Sequence, residues 1–197
     1  MEIVLSSAPP VYGAKTHSVA AKACSYYSRA AADIWSGKLK RSKDVQSQIT
    51  PTVPNDALFR VAFIEASVAS SSIARYYLQA LQQAEDGGED SDYVPNFRSN
   101  ITLEHVLPSK PDVGTWTNFT EDERKIYVNR IGNLALLAST GNGKIGSKDF
   151  ITKKPVLKTE SEFSLTKEIG NSAAWGQTEI LKRQEALALL AVRAWAV

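Results

Sequence analysis

A chain of 197 residues is long enough for one well-packed core, or for two intimately packed lobes, and short for two independent domains. Its composition, 43% apolar and 22% charged, is that of a folded globular protein and excludes disorder as a description of the whole. Basic residues exceed acidic ones by only 23 to 21, a formal charge of +2 that says nothing by itself about a polyanionic partner.

The opening MEIVLSSAPPVYG has too short an apolar stretch for a signal peptide, and Pro9 and Pro10 oppose a helix start. From His17 to about Trp35, alanines with Tyr26, Tyr27 and Trp35 predict a first long helix ending at Gly37. Cys24 falls in its apolar pattern and reads as a small core residue; as the single cysteine it excludes an intramolecular disulfide or a thiolate zinc cluster. The following GKLKRSKDVQSQ, with Lys38, Lys40, Arg41 and Lys43, reads as a solvated loop, the alternative being a phosphate-contacting flank. Asn55 then caps a helix with Phe59, Ala62 and Phe63 on its apolar face, and Ser70 to Ala84 is helical until Gly87 and Gly88 stop it. The acidic residues Glu85, Asp86, Glu89, Asp90 and Asp92 read as solvated surface.

Beyond this helical part, residues 14–90, the texture changes. Asp92 to Asn100 has no helical period, Ile101 to Glu104 is β-compatible before Pro108, and Glu121 to Asn129 suits a short helix. Leu134 to Ala138 is best taken as the second strand of a small hairpin, and a closing helix runs from about Thr178 to Ala196, with Trp175 at its entrance. No repeat and no stretch of roughly 20 apolar residues is present, so a single, mostly helical α+β domain in a soluble, cytoplasmic setting is expected.

The chemistry concentrates between Thr102 and Lys148. His105, one of two histidines, stands beside Glu104 and can serve as a general base, because neutral imidazole is available near neutrality. Glu104 and Asn142 are candidate oxygen ligands for magnesium. Neighbours on a strand face opposite ways, so Glu104 could equally pair with a surface lysine. Asn133, after Gly132, is better placed to fix a loop than to bind metal. Lys148, Lys144, Arg130 and Lys153 are candidate phosphate contacts, within a basic series that includes Lys154 and Lys158. His17 lacks partners at ligand spacing and reads as surface or cap chemistry, and GNGK lacks the spacing of a P-loop.

ITLEHVLPSK, NRIGNLALLAS, NGKIGSKDF with Lys153 after it, and the terminal pattern of Trp175, Ile180, Arg183, Leu187 and Trp195 together resemble the DUF1524 family of HNH-type, or His-Me finger, endonuclease domains, found in the C-terminal part of GmrSD-like defence enzymes. The resemblance covers at least residues 56–197 and implies an embedded ββα-metal finger, at about 100–154, flanked by packed helices. It implies that His105 ends the first strand and activates water, that Asn133 supports the catalytic loop, and that Asn142 opens the following helix and helps hold Mg2+ or Mn2+. Glu104 matches the acidic position beside the base, and Lys148 a basic position in the finger helix. Asn142 stands where many HNH proteins have histidine, which leaves the metal's identity open. The implied activity is metal-dependent nicking or cleavage of double-stranded DNA in phage defence or modification-dependent restriction; a non-catalytic binding module and a ribonuclease are the rivals. Related proteins often carry an N-terminal DUF262 sensor domain, for which this chain has neither length nor motif.

Overall fold

The computed structural model describes residues 15–87 and 100–195, with side chains of the first stretch from Cys24 onward. It divides into two compact units with the boundary between Phe59 and Arg60. In the first, helix α1, Lys15–Trp35, ends where Gly37 takes φ 73° and lets the amides of Lys38 and Leu39 both reach the Asp33 carbonyl. Helix α2, Ser42–Ile49, occupies the stretch whose composition suggests a solvated loop. Its basic residues hid a local stop-and-start signal, in which Arg41 pairs with Asp44 at 3.1 Å in the first turn. Cys24 is exposed and not a core residue, since α1 turns that face to solvent and buries Ala30 instead. The side chain of His17 and the segment from Asp92 to Phe97 lie outside the described residues.

The second unit is mostly helical around one small sheet. Helix α3, Asp56–Ile64, leads into it, capped by Asn55, which accepts from the Leu58 amide at 2.9 Å. Helix α4, Ser71–Glu85, comes next, and then strand β1, Ile101–His105. The chain goes on to form helix α5, Glu121–Tyr127, whose Thr120 and Glu123 make a reciprocal capping box. A 3₁₀ turn, Ile131–Asn133, leads into β2, Leu134–Ala138. Helices α6, Ser139–Ile145; α7, Phe150–Thr159; α8, Ser164–Ile169; and α9, Gln177–Ala194, complete the unit.

The two strands pair antiparallel along their whole length, from Ile101 opposite Ala138 to His105 opposite Leu134. They are joined by residues 106–133 and not by a tight turn. Helices α4, α6 and α8 all pack on β2, which explains why LALLA reads as an unbroken apolar run: both faces are covered. The core beneath contains Val106, Leu107, Leu137, Phe150, Trp175 and Ile180.

Helix α9 locks the 3₁₀ turn in place. Buried Gln184 accepts from the Gly132 amide and donates to the carbonyls of Phe63 and Ala66, both at 2.9 Å. Arg183, partly buried, donates to the carbonyls of Ile131, Gly132 and Leu134, a cation solvated by backbone oxygens, whose pKa desolvation pushes down to about 10. Gly132 has to be glycine for close approach, because a Cβ there would overlap the Ile180 carbonyl oxygen. Gly132→Ala is therefore expected to cost about 1–3 kcal/mol by overpacking against backbone that cannot yield; a urea midpoint equal to that of the parent would rule this out.

Candidate active site

Strand pairing puts His105 at the C-terminal end of β1, opposite the first residue of β2, and the chain leaving β1 is fastened there by Asn133. The Val106 amide donates to the Asn133 carbonyl at 3.1 Å and the Leu107 amide to Asn133 Oδ1 at 2.8 Å. Asn133 is completely buried, and both ends of its amide are used twice. Oδ1 also accepts from Trp175 Nε1 at 3.1 Å, while Nδ2 donates to the carbonyls of Leu107 and Val128 at 3.0 and 2.9 Å. A buried amide so engaged has no capacity left for a ligand. Its effect is mechanical: it ties the chain leaving β1 to the chain entering β2, and so fixes the backbone that carries His105.

The imidazole of His105 is partly buried, with Nε2 3.4 Å from Asn129 Oδ1. Burial lowers its pKa below the ordinary 6.5; the Asn129 contact acts the other way, and the nearby Lys153 charge adds to the lowering. Neutral imidazole thus predominates at neutral pH, the form that can accept a proton.

Glu104 points to the opposite side of β1 and is buried, with 4% exposure. Its Oε1 accepts from Lys153 Nζ at 2.6 Å, and the same ammonium donates to the His105 carbonyl at 2.9 Å. Lys153, the fourth residue of α7, is held there by an N-cap in which Asp149 accepts from the Thr152 amide. Fully buried, it is out of reach of a phosphate arriving from solvent, so its role as a surface phosphate contact gives way to that of an internal counter-ion. Burial moves the pair in opposite directions, Glu104 up and Lys153 down, against the mutual attraction that favours both charges.

Asn142 is the fourth residue of α6, which begins three residues earlier than expected. Its Nδ2 donates to Thr102 Oγ1 and to the Leu103 carbonyl, each at 3.0 Å, so the helix is pinned to β1 about 7 Å along the strand from His105. With Nδ2 so committed, Oδ1 accepts no hydrogen bond among the described residues. No group of three or more His, Cys, Asp or Glu among them could hold a metal ion. The oxygen donors that the candidate residues offer along β1 are an amide oxygen and one buried carboxylate already paired with a lysine. That set is too poor for zinc and fits a hard cation that keeps most of its ligands as water or phosphate oxygen.

The remaining cations separate clearly. Lys148 is exposed and forms no ion pair among the described residues, whereas Lys144 is bonded to Glu160 at 2.5 Å. Arg130 donates to the Ile64 carbonyl and to Glu65 at 2.9 Å, which makes it a tie between segments and no free rim charge. Sequence reasoning misses two contributors. Asn129 opens the NRIGNLALLAS run with no local mark of its role, and Trp116 lies in an irregular loop. That loop is docked on the segment after α6 by Trp116 Nε1 donating to the Lys148 carbonyl at 3.0 Å and the Asp112 amide to the Ser147 carbonyl at 3.1 Å. Trp116 adopts φ 55°, the one non-glycine residue in the left-handed region among those described.

A family model described as "GmrSD restriction endonucleases, C-terminal domain" matches residues 53–190. No curated protein matches the chain. Among the described residues no helix is long and apolar enough to cross a membrane.

Proposed function

The chain belongs to the family of GmrSD restriction endonuclease C-terminal domains, and from that membership we propose that it is a divalent-metal-dependent hydrolase of DNA phosphodiester bonds. The observation that carries the reading is the placement of His105: a neutral-biased imidazole at the C-terminal end of β1, on backbone fixed by Asn133, with a helix pinned to the same strand through Asn142.

In this reading β1, β2 and α6 form the ββα finger. His105 takes the proton from an attacking water. Asn142, through Oδ1, and Glu104, through the carboxylate oxygen that does not face Lys153, would hold Mg2+ or Mn2+. When bound, that ion supplies neutralisation of charge at the scissile phosphate and the leaving oxygen. Lys148 contacts a neighbouring phosphate; such a contact adds affinity without sequence information and weakens as salt rises. Asn133 is a positioning residue. A place as effector in phage defence or modification-dependent restriction is the biological setting that goes with this activity, with double-stranded DNA as the partner.

The test is incubation of the purified chain with supercoiled DNA, linear DNA and RNA, with and without magnesium or manganese. Nicked or linear products that require the metal and vanish with EDTA are expected. Cleavage of RNA alone would reassign the substrate. DNA binding without cleavage in any metal would identify a binding module that retains the finger as scaffold.

A further inference from the structure

The contact between His105 and Asn129 has a chemical direction. An amide oxygen only accepts, so with Asn129 Oδ1 facing Nε2 at 3.4 Å the proton of the neutral ring sits on Nε2, and the lone pair is left on Nδ1. We propose that Asn129 is the residue that selects this tautomer and sets the ring plane, so that Nδ1 of His105 is the atom that accepts the proton from water. The inference rests on the hydrolase reading for its last clause only; the tautomer itself belongs to the folded protein.

What makes Asn129 suited to the task is the rigidity of its backbone. The preceding carbonyl, of Val128, accepts from buried Asn133 Nδ2 at 2.9 Å, and its own carbonyl accepts from the Val68 amide at 2.8 Å. The next residue, Arg130, pairs with Ser67 in an isolated antiparallel bridge, and its amide donates to the Tyr127 carbonyl at 3.1 Å. Both flanks of Asn129 are therefore tied down independently of the His105 side chain, so its amide oxygen is a fixed acceptor against which the ring is aligned. The same Asn133 holds the main chain immediately beyond His105, so the base and its orienting group hang from a single buried amide. A second-sphere acceptor that fixes the tautomer of a functional histidine is a recurring arrangement, and its loss frees the ring to rotate and to exchange protons between its nitrogens.

The measurement is a long-range proton–nitrogen correlation spectrum of protein labelled with 15N-histidine, recorded metal-free at about pH 8, above the ordinary histidine range. The chain has two histidines, so H105A assigns the signals. The Nε2–H pattern is expected for His105 in the parent, a mixture of tautomers in N129A, and recovery of the Nε2–H pattern in N129D, which restores an acceptor. In parallel, kcat on supercoiled plasmid substrate should fall by up to about 10²-fold in N129A with KM little changed, and be substantially rescued in N129D. An Nδ1–H pattern in the parent protein, or an N129A spectrum identical to that of the parent, would overturn the proposal, and the parent spectrum decides even if N129A does not fold. The expected spectra in a chain that cleaves no nucleic acid would leave the tautomer assignment standing and overturn the hydrolase reading instead.

Discussion

His105→Ala is expected to lower kcat/KM for DNA hydrolysis by about 10²–10⁴-fold, the range a positioned general base contributes, while leaving the thermal transition nearly in place. The two parts of that expectation have separate grounds. The ring is only partly buried and, among the described residues, its one side-chain hydrogen bond is the 3.4 Å contact to Asn129, so little packing depends on it. The backbone at this point is held by other groups, namely Lys153 on the His105 carbonyl and Asn133 on the amides and carbonyl just beyond it. Activity loss accompanied by unfolding would therefore count against the assignment, because it would show the ring supporting the fold. Metal-dependent cleavage that survives in the folded variant would remove His105 as the base. The pH profile of the parent gives an independent check. Protonation switches a base off, and burial holds this imidazole below 6.5, so kcat/KM should stay high down through neutrality and fall only at pH values under 6.5. An acid limb centred above that value would require a different titrating group.

How much of this is legible from sequence depends on how local each signal is. Strand β2 is readable to the residue because a run buried on both faces is written as uninterrupted apolar sequence, and the cap at Asn55 because capping chemistry involves residues three apart. His105 stands out by its rarity and its neighbour. Helices α7 and α8 do not, since one carries Pro155 inside it and the other is six residues long, too short to show a period. Lys153 misleads for a different reason. A lysine is almost always a surface residue, and the carboxylate that permits its burial lies 49 positions away. Asn129 is likewise meaningful only through a partner 24 residues distant. Sequence spacing displays the contacts of one element; the groups that orient the base come from three.

The second large effect comes from that buried pair. Lys153→Met is expected to destabilise the protein by about 3–5 kcal/mol, the usual consequence of removing one partner from a buried ion pair, because Glu104 at 4% exposure would be left as an uncompensated charge. The double variant E104M/K153M should recover most of that loss, since exchanging both charges for apolar groups of similar volume is often close to neutral. The pH dependence fixes the sign. In the single variant, acidification protonates the orphaned carboxyl and removes the buried charge, so the deficit relative to the parent should shrink as pH falls. Urea unfolding of the parent, the single and the double variant at two pH values measures all of this, and a double variant no more stable than the single one would sink the account. Activity should not track stability. The double variant still lacks the ammonium that bonds to the His105 carbonyl and the carboxylate proposed as a metal ligand, so a restored fold with cleavage still impaired is the combination expected. Full recovery of both would show that the Glu104–Lys153 pair serves the core alone and leave Asn142 as the sole protein ligand proposed for the metal.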